Sequence, residues 1–128
     1  GKVRLFGEYD GYGPGEHTRD FIYVKDVVKV NFYFWEHPEI SGIFNCGTGH
    51  AHQFNTLAKG VLKHFGSGEL EYVPFPEVLK GKYQSFTQAD TTNLLAAGYN
   101  GGFTPIEDAI AEYCALLDKT GGYYVYER

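Results

Sequence analysis

Phe54-Asn55-Thr56-Leu57-Ala58-Lys59-Gly60-Val61-Leu62-Lys63-His64-Phe65-Gly66, closely followed by Leu70-Glu71-Tyr72-Val73, is the stretch that decides the fold class. Phe54, Leu57, Ala58, Val61, Leu62 and Phe65 recur at i, i+3, i+4, i+7, i+8 and i+11, the period of a helix that buries one stripe, and Gly66 supplies its left-handed stop. Leu70–Val73 has the composition of a strand, and Pro74 and Pro76 end it because neither can donate to a ladder. A helix followed directly by a strand sets an α/β expectation, and the flanks extend it.

Upstream, Lys25 to His37 is expected to be helical, with Asp26 near the positive end of the helix dipole and Pro38 as the stop. Its Val27, Val28, Val30, Phe32, Phe34 and Trp35 cover more than one stripe, which predicts burial between layers. Ser41 to Gly49 reads as a short buried strand running into a tight glycine turn. Val3–Phe6 and Phe21–Val24 read as two strands on either side of Asp10-Gly11-Tyr12-Gly13-Pro14-Gly15, a loop of residues that tolerate positive φ or fix it. Downstream, Thr104-Pro105-Ile106-Glu107 has the form of a capping box with proline at the first helical position. Ile106, Ala109, Ile110, Tyr113, Cys114 and Leu117 then form one stripe, closed by Gly121-Gly122, and the tail Tyr123–Arg128 carries no pattern.

With 128 residues and 43% hydrophobic content, the chain is sized for one core, so residues 1–128 are expected to be a single domain or part of one. No apolar run approaches the roughly 20 residues that cross a bilayer. A net charge of −5 opposes sequence-independent binding to nucleic acid, which needs a basic face. Neither a membrane nor a nucleic acid is an expected partner. Cys46 and Cys114 lie in apolar contexts without Cys-x-x-Cys spacing and read as buried thiols of a reducing, cytoplasmic compartment. The chain has no methionine, which suggests a trimmed chain or a piece of a larger one.

The five histidines give one close pair, His50-x-His52, with no carboxylate or cysteine at ligand spacing; surface-loop histidines and no metal site are the expectation. Ser67 and Ser85 lack a nucleophile elbow. Gly11-x-Gly13-x-Gly15 stands between two strands and contains Pro14, so a flexible or substrate-covering loop fits better than a dinucleotide turn. Arg19-Asp20 follows this loop; either the guanidinium faces a bound anion with Asp20 orienting it, or the two form a surface ion pair. Tyr83-Gln84-Ser85-Phe86-Thr87-Gln88-Ala89-Asp90 concentrates groups suited to sugar hydroxyls and phosphates, with a strand edge leading to a helix cap at Asp90 as the plain alternative.

Arg19-Asp20-Phe21-Ile22-Tyr23-Val24-Lys25-Asp26-Val27 resembles a stretch of the extended short-chain dehydrogenase/reductases that act on nucleotide sugars. Ser41–Gly49, Tyr72–Pro76 and Leu79–Asp90, in that order, resemble the ADP-L-glycero-D-manno-heptose 6-epimerases. The likeness runs from about Val3 to Leu117 and matches only the C-terminal part of such an enzyme. It implies an α/β, Rossmann-type piece that binds substrate and lacks the N-terminal dinucleotide-binding core. It further implies NADP held mainly by that missing N-terminal Rossmann domain, ADP-heptose as substrate, epimerisation at C6, and a homo-oligomer for the complete enzyme.

The family's Tyr-x-x-x-Lys pair and Gly-rich fingerprint lie upstream of the matching part, so no catalytic or cofactor-binding residue is expected here. Tyr23 and Tyr83 are followed at the relevant position by Val27 and Thr87, not lysine. By resemblance, Phe6, Gly7, Glu8 and Tyr9 line the nucleotide-sugar pocket, Arg19 contacts phosphate, and Tyr83 lies on the ADP-heptose. The loop from Tyr9 to Arg19 is longer and richer in glycine than in the shorter family members. Two rival readings stand: another nucleotide-sugar epimerase or dehydratase resembling UDP-galactose 4-epimerase, and a non-catalytic nucleotide-sugar binding module.

Overall fold

A computed structural model describes residues 1–122; the tail Tyr123–Arg128 lies outside the described residues. Strand β1 (Lys2–Phe6) pairs in parallel with β4 (Glu69–Val73), from Lys2 opposite Glu69 to Phe6 opposite Val73. The pleat puts Lys2 and Arg4 on one face with Glu69 and Glu71, where Arg4 Nε donates to Glu71 Oε2 at 2.9 Å. Helix α2 (Phe54–Phe65) connects to β4 and packs on the pair. Gly66 ends it at φ 63°, the left-handed stop expected of it.

Helix α4 (Ile106–Lys119) lies against α2, with Ile106, Ile110 and Cys114 meeting Phe21, Leu57 and Val61. Each such large side chain, fully buried, is worth roughly 1.5–3 kcal/mol. Gly60 allows the close approach, since a Cβ there would stand 2.8 Å from Ile110 Cδ1. A second core joins α1 (Val24–Glu36) to the short α3 (Thr92–Ala96): Val30, Leu94 and Tyr99 are buried, with Tyr33, Phe34, Phe44 and Phe103 around them. Thr91, not Asp90, is the N-cap of α3; Asp90 stands one residue before it, its Oδ1 accepting from Thr92 N at 3.0 Å.

Several expectations are corrected. Phe21–Val24 is no strand; the return strand is the two-residue β2 (Thr18–Arg19), antiparallel to β3 (His52–Gln53), and Val24 already begins α1. Ser41–Gly47 forms no ladder, and Ile43 is 92% exposed, because no strand within the described residues is available to pair with it. For the same reason Cys46, expected buried, is exposed, whereas Cys114 is buried as expected. Helix α1 is not buried between layers: Val24, Val28, Phe32 and Trp35 are exposed. Thr104 does not close a capping box, because its N–H and Oγ1 both donate to Asp26, at 2.7 and 3.0 Å.

Candidate functional site

The glycine-rich segment folds as a tight hairpin. Tyr9 and Tyr12 exchange both backbone hydrogen bonds at 3.0 Å, and positive φ at Asp10 (55°) and Gly11 (79°) makes the reversal. Each end of the segment is held. Asp10 Oδ2 accepts from Ser85 Oγ at 2.8 Å, the Tyr9 hydroxyl accepts from Gly81 N at 2.6 Å, and Asn55 Nδ2 donates to Pro14 O at 2.9 Å. Turn chemistry and side-chain anchors hold the loop in this conformation.

The hairpin folds over an aromatic cluster. Tyr9 stacks on Phe75 at 4.0 Å, and Phe6 meets Phe75 and Tyr83 edge-on at 5.3 and 6.0 Å. His17 lies inside, only 1% exposed, so it is not the surface-loop histidine expected: rings from Tyr9, Tyr12, Phe75 and Tyr83 close around it. Nothing adjacent in sequence announces that burial; Phe75 and Tyr83 arrive from far along the chain.

Arg19 reaches this cluster from β2. Its guanidinium carbon sits 4.9 Å from the Tyr83 ring centre and 5.8 Å from that of Phe54, a cation–π arrangement on two sides. Nη1 donates to Thr18 O at 2.7 Å. Among the described residues no carboxylate lies within ion-pair distance of it. The two rings it rests on, Phe54 and Tyr83, also line a cavity of about 200 Å³ together with Arg4, Phe6, Gly15 and His17; Arg19 itself is not in that lining. An oriented, uncompensated guanidinium next to aromatic faces is suited to an anion carrying a planar or apolar group.

Asp20 does not pair with Arg19 in either of the ways the sequence suggested. Its Oδ1 accepts from Thr48 N and Oγ1 at 2.8 and 2.6 Å, and its Oδ2 from Gly49 N and Ala89 N at 2.9 and 3.1 Å. Burial pushes the carboxyl pKa up, but the bonds from Thr48, Ala89 and Gly49 outweigh it and hold the group below its ordinary value. Asp20 thus fastens the glycine turn and the Tyr83–Asp90 segment to the strand that carries Arg19. A Cβ on Gly47 would meet Ala89 Cβ at 2.4 Å and Asp20 Oδ2 at 2.8 Å, so the turn needs glycine there.

The structure therefore brings Phe6, Tyr9, Arg19 and Tyr83 to one cluster. Gly7 serves the β1–β4 ladder, its N–H donating to Val73 O at 2.7 Å. Glu8 is exposed on a shallow cleft of about 270 Å³ along the hairpin. Sequence reading missed His17, Phe54 and Phe75. A larger cleft of about 640 Å³ opens between the Thr48–His52 turn and the start of α4, with His50, His52, Gln88 and Glu107 on its walls. It offers no oriented cation, and no group of three or more His, Cys, Asp or Glu suited to a metal occurs among the described residues. Partial burial, with the Asp20 and Asp26 carboxylates, pushes the thiol pKa of Cys46 up. No helix among the described residues is long and apolar enough to cross a membrane.

The architecture is that of a partial Rossmann-type α/β fold of the extended short-chain dehydrogenase/reductase kind. Residues 2–47 match the NAD dependent epimerase/dehydratase family. Among solved structures, the chain is similar to the Helicobacter pylori ADP-L-glycero-D-manno-heptose-6-epimerase, with 26% identity and a TM-score of 0.71, over 91% of this chain and 33% of that one. It is similar also to the UDP-glucose 4-epimerase of Thermotoga maritima, with 28% identity and a TM-score of 0.72, over 93% of this chain and 35% of that one. The UDP-N-acetylglucosamine 4-epimerase of Methanobrevibacter ruminantium shares the fold at 21% identity and a TM-score of 0.73, over 91% and 34%. The chain spans about a third of the length of these structures.

Proposed function

We infer that this chain is the C-terminal, substrate-binding part of an NADP-dependent ADP-L-glycero-D-manno-heptose 6-epimerase. Such an enzyme interconverts ADP-D-glycero-D-manno-heptose and ADP-L-glycero-D-manno-heptose for lipopolysaccharide core synthesis in the cytoplasm of a Gram-negative bacterium. The observation that carries this reading is Arg19, a guanidinium held between Tyr83 and Phe54 with no carboxylate to neutralise it among the described residues. In this reading Arg19 donates to the diphosphate, Tyr83 offers a ring face and a hydroxyl, and Phe6, Gly7, Glu8 and Tyr9 form the adjoining wall.

The glycine segment lacks the strand–turn–helix form of a dinucleotide turn: β1 runs into a hairpin rather than a helix, and a Cβ on Gly15 would meet Asn55 Oδ1 at 2.3 Å. NADP, which supplies hydride transfer when bound, belongs in this reading to an N-terminal Rossmann domain. The unpaired Ser41–Gly47 segment and the exposed Val24, Val28, Phe32 and Trp35 favour such a partner. This chain alone is expected to have no turnover, and the complete enzyme to be a homo-oligomer.

The second reading, a UDP-sugar epimerase, is favoured by the 28% identity with the Thermotoga maritima enzyme. Competition for the complete protein between ADP-glucose and UDP-glucose separates the two: preference for the ADP sugar and C6 epimerisation of ADP-heptose support the first, preference for the UDP sugar the second. Tight binding without epimerisation by the complete, NADP-loaded protein would leave a binding module.

A further inference from the structure

We propose that His17 is the positioning residue of this site, and that the glycine-rich hairpin it carries is a fixed back wall behind Tyr83 and Arg19 rather than a lid; this rests on the nucleotide-sugar reading given above. Three contacts place Tyr83, each edge-on: Phe6 at 6.0 Å, Phe75 at 5.3 Å and His17 at 5.3 Å. The guanidinium of Arg19 rests on that same ring. His17 is the member of this set whose side chain also holds the hairpin by a hydrogen bond. Its Nε2 stands 3.2 Å from the Tyr9 carbonyl, which accepts as well from Tyr12 N at 3.0 Å. A carbonyl has only acceptor capacity, so Nε2 carries the proton in this contact.

A phenylalanine at position 17 could fill the space but would leave the hairpin carbonyl one donor short; a glutamine could donate but would lose the ring. Imidazole meets both needs, which accounts for a polar side chain that is 1% exposed among four aromatic neighbours. The hairpin is in turn not free to swing. Gly15 N donates to Phe6 O at 2.9 Å and Asn55 N to Gly15 O at 3.0 Å, and the space where a Gly15 side chain would go is filled by Asn55 and Leu5.

The test uses ADP-glucose as probe with the protein containing this chain, read by calorimetry and by NMR of the Arg19 side chain and the Gly11 and Tyr12 amides. If the unsubstituted protein binds no nucleotide sugar, the functional reading fails and the positioning role with it. If it binds, His17→Phe and His17→Gln are each expected to weaken binding about tenfold, with the Arg19 Nε–H signal displaced in both. His17→Gln should leave the Tyr12 amide as protected from exchange as in the unsubstituted protein, and His17→Phe should not. Unchanged affinity and an unmoved Arg19 signal in folded variants overturn the proposal. Should neither variant fold, the unsubstituted protein still decides. Hairpin amides that stay sharp and protected with and without ADP-glucose support a wall; amides that broaden in the free protein and sharpen on binding show a lid and overturn it.

Discussion

Asp20 and Thr48 are joined twice through a single oxygen, Oδ1 of the aspartate accepting from the threonine N–H at 2.8 Å and its hydroxyl at 2.6 Å. The other carboxylate oxygen takes Gly49 and Ala89, so one side chain next to Arg19 ties together segments far apart in sequence. This replaces the ion pair that adjacency in the sequence suggests. A charged acceptor with four donors is a fastening, and its loss should be felt both in stability and in the placement of Arg19.

Asp20→Asn should destabilise the chain by about 1.5–3 kcal/mol at neutral pH, the range for hydrogen bonds to a charged group. The pH dependence has a definite sign. A carboxyl held below its ordinary value of 3.8 in the folded state contributes stability in full above that value, and the contribution is lost as pH falls through the lowered one. Urea midpoints between pH 7 and pH 3 should therefore fall in the unsubstituted chain and fall less in Asp20→Asn. Parallel curves would mean that Asp20 binds its proton equally well folded and unfolded.

Asp26 poses the same question inside the core. It is completely buried and accepts from Thr104 N and Oγ1 and, at 2.8 Å, from Lys29 Nζ. Burial pushes its pKa up, but the bonds from Lys29 and Thr104 prevail and hold it below its ordinary value. Thr104→Val should cost about 1 kcal/mol and Asp26→Ala about 3 kcal/mol, because the latter leaves the half-buried Thr104 N–H and hydroxyl without their shared acceptor. The double variant should cost less than the sum, since both remove the same bond. Additive losses in chemical denaturation would show the contact to be energetically idle.

Arg19→Ala in the complete protein should weaken nucleotide-sugar binding by about 1.5–3 kcal/mol. Arg19→Lys should restore only part of it, because an ammonium lacks the planar fork that lies on Tyr83 and matches a diphosphate. Calorimetric titration with ADP-glucose measures both. Equal affinity for all three proteins would make Arg19 a surface residue.

Much of this was legible in the sequence and some could not have been. Helix α2 was, because its stripe from Phe54 to Phe65 and its Gly66 stop are local signals. Of Phe6, Gly7, Glu8, Tyr9, Arg19 and Tyr83, which resemblance assigns to one pocket, the side chains of Phe6, Tyr9, Arg19 and Tyr83 share one aromatic cluster, while Gly7 and Glu8 stand apart from it. The parallel pairing of β1 with β4 joins residues separated by most of the chain, and no local pattern encodes it. Thr104 shows how a local rule yields to a tertiary partner: a capping-box sequence is present, yet a buried carboxylate on α1 takes both donors. Ser41–Gly47 has the composition of a buried strand and stays unpaired, since burial needs a neighbour as well as a sequence.

That missing neighbour gives the last prediction. Val24, Val28, Phe32 and Trp35 follow one another at i, i+4, i+8 and i+11 along α1, and all are exposed, Trp35 to 77%. Phe32 and Trp35 stack at 5.9 Å on this exposed face, and Trp35 is the sole tryptophan of the chain, so its fluorescence reports this face alone. In the isolated chain its emission should be red-shifted and quenched by iodide, and Trp35→Ser or Phe32→Ser should reduce self-association while changing stability by no more than about 0.5 kcal/mol. In the complete protein, with a sheet packed on α1, the emission should move to the blue and resist iodide, and each of the same substitutions should cost roughly 1.5–3 kcal/mol. Shielded, blue emission from a monomeric isolated chain would mean that α1 already has its partner within these residues, and the inference of a covering domain would fall.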